Sequence, residues 1–363
     1  MKVHGRIVRP GAVIPGFVEV DGPTILDVAA SEPDISDIVV PGFVDLHCHG
    51  GGGHTFTRGD AEDAGKAAAF HLAHGTTTML ASLVSSPFEL MRDAVTAYAP
   101  LVESGQIAGI HFEGPYLSSA RCGAQNPGFL RDPSIEELSR LLGNVRMVTI
   151  APELPGALDA IKWLVDNGVV AAIGHTDATY EQVLAGVAAG ATVGTHVFNG
   201  MPPMHHREPG PVVALLDSPG IVCELVADGI HLHDGTLRFA GHATGPDRAA
   251  LITDAMDAAG MPDGDYELGG QAVTVADRVA RLTRNGSIAG STLTMDAAFR
   301  QAVGAGFDLP TAAAMASTTP ARALGLADQV GALEAGLRAD LVVLSEDLQV
   351  KRVMRAGAWL EQG

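Results

Sequence analysis

The sequence predicts a (β/α)8 TIM barrel with a small β-sandwich domain formed by both chain ends. Three observations support this prediction. Eight short apolar runs alternate with Ala-rich helical stretches, they fit within about 250 residues, and both ends of the chain carry short β-like segments. Near-continuous apolar character is typical of strands buried on both faces, as in a parallel sheet. We expect the barrel over residues 41–325 and the small domain over residues 1–40 plus 326–363.

The predicted strands are short and rich in aliphatic side chains: Ile38–Leu46, Thr76–Leu83, Ile107–Phe112, Val145–Ile150, Val169–Ile173, Thr192–Val197, Ile221–Val226 and Ala250–Thr253. The helices predicted between them are Ala61–His74, Pro87–Ala99, Ser134–Leu142, Ala157–Asn167 and Tyr180–Ala189. After the eighth strand, the alternating segment Tyr266–Leu282 and the Asn285-Gly286 turn predict a hairpin.

Composition limits the possible partners. The 363 residues carry a formal net charge of -19 and 47% hydrophobic residues, which is typical of a globular protein with a large core. The acidic balance excludes nucleic acid and anionic membrane as main partners, because both need a basic surface. The sequence shows no signal peptide and no apolar run near the roughly 20 residues of a membrane span. We therefore expect a cytoplasmic protein.

The first predicted strand ends in two histidines, His47 and His49, that are separated by one residue. Residues i and i+2 of a strand share a face, so both imidazoles point the same way. Two converging imidazoles at a strand end suit a divalent metal ion. A bare pair of this kind is equally compatible with a histidine that only caps a turn.

Further residues of metal-binding type stand near the ends of later strands, namely Glu113, His175, His196 and Asp254. Counted from His49, the successive separations are 64, 62, 21 and 58 residues. They are close to two, two, one and two strand–helix units of about 31 residues each. Active sites of such barrels are built where the carboxyl ends of the strands meet. Histidines with unrelated structural roles would not be expected to follow this spacing. The sequence therefore predicts one shared metal site.

The chain resembles the amidohydrolase superfamily in five places: the His47-x-His49 strand end, the His111-Phe-Glu113-Gly-Pro115 block, the Gly174-His175-Thr176 block, Asp254, and the closing Gly331 to Asp340 segment. More narrowly, it resembles the N-acetylglucosamine-6-phosphate deacetylase family in the blocks that begin at Glu113, His196, Arg207, Ala227 and Ile288. The resemblance implies metal-dependent hydrolysis of the N-acetyl group of N-acetylglucosamine-6-phosphate to glucosamine-6-phosphate and acetate, in amino-sugar catabolism or cell-wall recycling.

The resemblance also implies one or two divalent ions per subunit. Two ligand sets would share one carboxylate: a first set of His47, His49 and Glu113, and a second set of Glu113, His175 and His196. Asp254 would take a proton from the attacking water and return one to the departing amine. The alternative for Asp254 is a plain metal ligand or a helix cap. Zinc is the first expectation, and iron, manganese or cobalt stay open because these ligands accept them all.

The fourth predicted strand separates subfamilies of amidohydrolases. Many binuclear members bridge their metals with a carbamylated lysine on that strand, and Val145–Ile150 contains no lysine. By the resemblance, Glu113 takes the bridging role instead. This weakens the alternative of a cyclic-amide hydrolase.

Candidate substrate-binding residues lie on the loops beyond the strands. Arg207 suits a phosphate monoester, because its guanidinium donates a fork of hydrogen bonds; the alternative is an ion pair with Glu208. By the resemblance, His231 reaches the neighbouring subunit's site, so we expect a homodimer with a small sugar phosphate as substrate. The remaining substrate-binding candidates are Ala124, Asn199, Gly200, Ile288, Ala289 and Gly290.

The loop Leu117–Gly128 is a predicted lid over the site. Some members of the resembled family have histidine where Gln125 stands, so we expect contact through the backbone of Ala124 rather than through the Gln125 side chain. Two alternatives stay open for the whole chain. One is another amidohydrolase, acting on a different N-acyl amino sugar or a cyclic amide, and the other is a non-catalytic metal-dependent binding protein.

Overall fold

The computed structural model describes residues 1–31 and 36–361. Residues 32–35 and 362–363, which the predicted terminal domain includes, lie outside the described residues. Within the described part, the chain forms four β-sheets and eleven α-helices. In that part of the chain, no helix combines the length and the apolar character that crossing a membrane requires.

The strands of the described residues, in chain order, are β1 Lys2–Arg9, β2 Ala12–Asp21, β3 Thr24–Ala30, β4 Ile38–Pro41, β5 Phe43–Asp45, β6 Gly50–Gly51, β7 His54–Thr55, β8 Thr76–Leu83, β9 Gly109–Glu113, β10 Val145–Ile150, β11 Val170–Ile173, β12 Val193–Gly194, β13 Val222–Val226, β14 Ala249–Ile252, β15 Gly264–Leu268, β16 Gln271–Ala276, β17 Val279–Leu282, β18 Leu341–Leu344, β19 Val350–Arg355 and β20 Ala358–Trp359.

The α-helices are α1 Ala61–Ala73, α2 Phe88–Ala97, α3 Ala99–Glu103, α4 Ile135–Ser139, α5 Ala157–Asp166, α6 Tyr180–Ala188, α7 Gly210–Asp217, α8 Asp234–Thr244, α9 Met295–Gly304, α10 Leu309–Ala313 and α11 Thr319–Ala323. Short 3-10 turns cover Ser119–Arg121 and Pro127–Phe129. Several helices begin at a side-chain cap that accepts a backbone N–H, as Asp60 does before α1 and Ser134 before α4.

Eight strands form the barrel in the order β5, β8, β9, β10, β11, β12, β13 and β14, and each neighbouring pair is parallel. The two edges meet just beyond the strand ends, where the Asp254 N–H donates to the His47 carbonyl at 2.8 Å. All residues of β8 are buried, as a strand covered on both faces requires. The predicted (β/α)8 barrel is confirmed.

The predicted first strand, Ile38–Leu46, is two strands in different sheets, because β4 pairs with β1 and β18 whereas β5 pairs with β8. Gly42 lies between them. A Cβ on Gly42 would lie 2.2 Å from Thr77 Oγ1, so only glycine fits where the chain passes Thr77. The residues on both sides are buried and apolar, and the sequence pattern therefore runs on across the break.

Both chain ends build one seven-stranded sheet in the order β20, β19, β18, β4, β1, β2 and β3. Residues from the two ends form a hydrophobic cluster of their own, in which Ile7 and Val18 join Leu341 and Met354. This sheet agrees with the prediction that the ends fold together. The boundaries at residues 40 and 326 stay a proposal, which the separate cluster supports.

The insertion after β14 is a three-stranded antiparallel sheet of β15, β16 and β17, so the prediction of a single hairpin is wrong. The extra reversal comes at Asp277 and Arg278, which both adopt positive φ. The predicted turn at Asn285-Gly286 is present and follows β17, since the Gly286 N–H donates to the Leu282 carbonyl at 2.8 Å.

Candidate metal centre and cavity

Six side chains from five barrel strands meet at the carboxyl end of the barrel. They lie at the end of β9 or shortly after β5, β11, β12 and β14, and none is more than 7% exposed: His47, His49, Glu113, His175, His196 and Asp254. The structure therefore brings together all the residues that the sequence predicts as metal ligands or as the catalytic carboxylate. Their roles stay predictions.

Glu113 lies between two pairs of histidines. Its Oε1 atom is 2.9 Å from both His175 Nε2 and His196 Nε2. Its Oε2 atom is 3.3 Å from His49 Nε2, and His47 Nε2 is 3.6 Å from Oε1. The donor atoms of each predicted ligand set lie within 4.8 Å of one another. The Glu113 carboxylate thus faces both histidine pairs, which is the arrangement that a bridging ligand needs.

The histidine rings are oriented so that their Nε2 atoms face the centre of the cluster. His49 Nδ1 lies 3.1 Å from the Ser82 carbonyl oxygen, and His175 Nδ1 lies 2.8 Å from that of Arg121. A ring that donates through Nδ1 keeps the lone pair of Nε2 free, which is the usual arrangement of metal-binding histidines. This buried set of nitrogen and carboxylate donors fits a divalent ion.

The backbone of the cluster is strained. His175, His196 and Asp254 have φ angles of 46°, 24° and 50°, in the left-handed region that residues other than glycine rarely adopt. Such conformations cost about 1–3 kcal/mol each and concentrate at functional sites. The strain at three strand ends of one face supports a functional role for these residues.

The ionisable groups of the cluster shift one another's pKa values. Burial opposes the ionisation of Glu113, but the His47 and His175 charges and the histidine hydrogen bonds hold its pKa well below the usual range. Burial also opposes ionisation of Asp254, yet the His49 hydrogen bond and the charges of His47 and His196 lower its pKa to about 2. Both carboxylates are therefore ionised at neutral pH.

A cavity of about 300 Å³ opens above the cluster. Its wall includes part of the predicted lid and of the segment after β17. The predicted site residues that line it are His49, Ala124, Glu113, His175, His196, Asn199, Gly200, His231, Asp254, Ile288 and Gly290. Three predicted residues lie elsewhere: Arg207 is exposed on another part of the surface, whereas His47 and Ala289 are fully buried and do not line the cavity.

Arg207 lies outside the cavity, whereas His231 lines it. Arg207 borders a neighbouring depression, where its Nη1 is 2.8 Å from His206 Nε2, and no ion pair with Glu208 occurs among the described residues. His231 lines the cavity of its own chain, and its reach into a neighbouring subunit's site stays a prediction. The ring pairs with Asp228, whose Oδ2 lies 2.6 Å from His231 Nδ1.

The sequence reasoning gave no role to two side chains that contact the cluster. Gln125 donates from Nε2 to Glu113 Oε2 at 2.6 Å, while its own Oε1 accepts the Ser85 N–H at 2.7 Å. Glu224 lies on β13 beneath the histidines, with Oε2 3.2 Å from His47 Nδ1. An acidic residue within the apolar run Ile221–Val226 was the signal that could have identified Glu224.

The chain matches the Amidohydrolase family over residues 38–360. It belongs to the amidohydrolase family. This amidohydrolase is 38% identical to the N-acetylglucosamine-6-phosphate deacetylase of Lysinibacillus sphaericus over 88% of its length and 84% of the relative's. It is also 38% identical to the N-acetylgalactosamine-6-phosphate deacetylase of Escherichia coli O157:H7, over 92% of its length and 90% of the relative's.

A solved structure resembles the amidohydrolase over nearly its whole length. This structure is an aspartate-to-alanine variant of the N-acetyl-D-glucosamine-6-phosphate deacetylase from Mycobacterium smegmatis, in complex with N-acetyl-D-glucosamine-6-phosphate. It superimposes with a TM-score of 0.96 at 46% identity, covering 99% of this chain and 98% of that one. The predicted superfamily and fold class are confirmed.

Proposed function

We propose that this amidohydrolase hydrolyses the N-acetyl group of N-acetylglucosamine-6-phosphate, giving glucosamine-6-phosphate and acetate. The observation that carries the proposal is the Glu113 carboxylate between two histidine pairs, with Asp254 Oδ1 3.4 Å from His49 Nε2 at the cavity floor. The identity of the substrate rests on the relatives, which include a 46% identical deacetylase solved with this sugar phosphate.

One or two divalent ions would be held by the two ligand sets that share Glu113. When bound, such an ion makes a water molecule a stronger nucleophile and polarises a carbonyl group. We propose zinc as the ion, because zinc favours histidine nitrogen and carboxylate oxygen ligands. Iron, manganese and cobalt are the alternatives.

Asp254 would move the proton in this reaction. Its Oδ1 atom lies at the cavity floor and its pKa of about 2 keeps it ionised, which is the state that a general base needs. Oδ1 accepts a proton from the attacking water and then donates it to the departing amine nitrogen. One carboxylate thus serves both steps of the amide hydrolysis.

His231 would stabilise the carbonyl oxygen of the substrate. Its Nδ1 is engaged by Asp228, so Nε2 is the nitrogen left for the cavity. Burial lowers the pKa of His231, but the Asp228 hydrogen bond and charge outweigh burial and raise it. A protonated Nε2 donates a hydrogen bond to the oxygen on which negative charge develops. The resemblance implies a different role for His231, a contact in the neighbouring subunit's site.

No arginine or lysine of the described residues lines the cavity wall, so we propose that the cation for the phosphate group comes from outside the cavity. Arg207 is exposed beside a neighbouring depression. We propose that the protein is a homodimer in which Arg207 of one copy contacts the substrate of the other. A cytoplasmic location is also proposed, because a sugar phosphate dianion does not cross a bilayer unaided.

The second candidate substrate is N-acetylgalactosamine-6-phosphate, which the relative from Escherichia coli O157:H7 favours. Acetate release should be measured on both phosphorylated sugars and on unphosphorylated N-acetylglucosamine, with metal-depleted enzyme as the control. We expect the highest kcat/KM on N-acetylglucosamine-6-phosphate. Preference for the galactose epimer would select the second candidate, and equal rates with and without phosphate would refute a sugar-phosphate specificity.

A further inference from the structure

Glu224 lies in the barrel interior beneath the histidine cluster and belongs to neither ligand set. It is the one charged residue of β13, and it is fully buried. The Sγ atom of the preceding Cys223 donates toward the Leu215 carbonyl of α7, so the alternation along the strand directs Glu224 inward. A buried carboxylate is costly unless hydrogen bonds or charges compensate for lost water. The groups that contact the Glu224 carboxylate therefore indicate its role.

The side-chain contacts of Glu224 run to the two ligand sets. Its Oε2 atom is 3.2 Å from His47 Nδ1 and accepts the backbone N–H of His196 at 3.1 Å. Its Oε1 atom has no hydrogen-bond partner among the described residues. One carboxylate oxygen thus connects a ligand of the first set with a ligand of the second.

The contact with His47 acts on the imidazole itself. A ring that donates from Nδ1 to a carboxylate has its Nε2 lone pair free, and His47 Nε2 faces Glu113 and lies 3.0 Å from His49 Nε2. A carboxylate partner also raises the basicity of a histidine ligand. His49 and His175 have only neutral backbone carbonyls at Nδ1. His47 is therefore the ligand that a full negative charge orients.

The contact with His196 acts on the main chain only. The backbone carbonyl of Glu224 accepts the Val197 N–H at 2.9 Å, and this second bond holds the same turn without the carboxylate. The Nδ1 atom of His196 has no hydrogen-bond partner among the described residues. Removal of the Glu224 charge should therefore affect the first ligand set far more than the second.

We propose that Glu224 is a positioning residue that sets the metal affinity of the first ligand set, through the orientation and basicity of His47. The inference rests on the two metal positions of the proposed function. It adds an asymmetry to them: the first position depends on a buried charge outside the ligand set, and the second does not.

The test is a calorimetric titration of metal-free protein with Zn²⁺ in the presence of a competing chelator. Wild type should bind two ions. Glu224→Gln, which keeps the shape, should weaken one of them by about 10–100-fold and leave the other unchanged. Glu224→Leu, which also removes the acceptor, should lose that ion. Thr149→Val serves as the matched control, because Thr149 is equally buried in the barrel interior but contacts His111 and Thr195 rather than a ligand.

A His47→Ala background identifies the affected position. It should bind one ion, at the second ligand set, and adding Glu224→Gln should not change that affinity. Equal weakening of both ions in Glu224→Gln, no weakening at all, or a single ion in the wild type would each overturn the proposal. Deacetylation is measured separately as acetate release, and the proposed function is compatible with a single ion, so it can survive these outcomes. Thermal unfolding shows whether each variant folds.

Discussion

In the proposed function, His231 and Arg207 both supply positive charge to the substrate, but from different places. His231 lines the cavity of its own chain and is held by Asp228, whereas Arg207 is exposed outside that cavity. The first position suits the carbonyl group that reacts at the metal, and the second suits a distant phosphate. The two side chains should therefore affect different kinetic constants.

We predict that His231→Asn lowers kcat by about 10²–10³-fold with little change in KM, as the loss of a hydrogen-bond donor to a developing oxyanion does. Arg207→Ala should instead raise KM for the phosphorylated sugar and leave the unphosphorylated sugar unaffected. Steady-state kinetics on both sugars test this. A His231→Asn effect confined to KM for the phosphorylated sugar would contradict the carbonyl role and indicate that His231 contacts the phosphate.

Residue spacing was enough to predict the ligand candidates, because the carboxyl ends of parallel barrel strands meet on one face. It could not predict the contacts of Glu224, or that His231 lines the cavity of its own chain. Glu224 lies within a strand, one layer below the strand ends. The spacing of the ligands along the sequence relates only the strand ends to one another, so it does not identify a residue at this lower level. The position of His231 depends on a loop conformation that Asp228 fixes by a local ion pair.

At the scale of elements, the eight barrel strands were all predictable, but the extent of the first was not. A buried apolar run looks the same whether it forms one strand or two. What distinguishes β4 from β5 is pairing with strands that are distant in sequence, since β4 pairs with β18 from the far end of the chain. The single glycine between them, Gly42, is the local sign of the break.

We predict that Gly42→Ala lowers stability by about 1–3 kcal/mol, because the added Cβ collides with the Thr77 side chain. Thr77→Ala should partly rescue Gly42→Ala, since it removes the Oγ1 and Cγ2 atoms. Urea unfolding measures both effects. Gly220→Ala is the control, as a Cβ there has nothing within 4 Å. Equal effects at Gly42 and Gly220 would contradict the steric explanation.

Asp296 connects α9 to α1, with its Oδ1 3.2 Å from His74 Nδ1 and its Oδ2 2.7 Å from Arg300 Nη1. Burial opposes its ionisation, but hydrogen bonds from His74, Thr294 and Arg300 hold its pKa below the usual range. A carboxyl with a lowered folded-state pKa stabilises the fold above its unfolded pKa of about 3.9, and the stabilisation is lost as the pH falls further.

Asp296→Asn should therefore destabilise the protein at neutral pH by about 1–3 kcal/mol, because it leaves charged partners without their acceptor. The difference from wild type should shrink below about pH 4, where the Asp296 carboxyl of the unfolded chain begins to protonate while that of the folded protein stays ionised. Denaturant midpoints at neutral and acidic pH measure this. The matched control is Asp93→Asn, whose carboxylate is exposed. A stability difference between wild type and Asp296→Asn that grows as the pH falls would contradict this explanation.

For the whole molecule, a net charge of -19 is compatible with a phosphorylated substrate, because recognition is local. The charge argues against extended polyanions as partners and not against one recessed phosphate. The histidine-rich cavity and an arginine from a second copy would supply the positive charge at one point. This arrangement would make the proposed dimer part of the active site.

We predict complementation between two inactive or weakened variants. Mixed dimers of Arg207→Ala and Asp254→Asn subunits should regain one complete site, which combines Asp254 of the first subunit with Arg207 of the second. Acetate release at low substrate concentration, before and after mixing and exchange of subunits, measures the gain. The Asp254→Asn homodimer is the control for background activity. No gain after demonstrated subunit exchange would show that Arg207 acts within its own chain or not at all.

The most direct test of the central claim is acetate release from N-acetylglucosamine-6-phosphate by wild type and by Asp254→Asn at matched metal content. Asp254 lies at the floor of the cavity beside both histidines of the first ligand set. Proposed as the proton carrier of a metal-dependent deacetylase, it should contribute about 10²–10⁴-fold to kcat. The expected result is acetate release by the metal-loaded wild type and a loss of that size in the variant. Full turnover by Asp254→Asn, or no acetate from the metal-loaded wild type, would contradict the account.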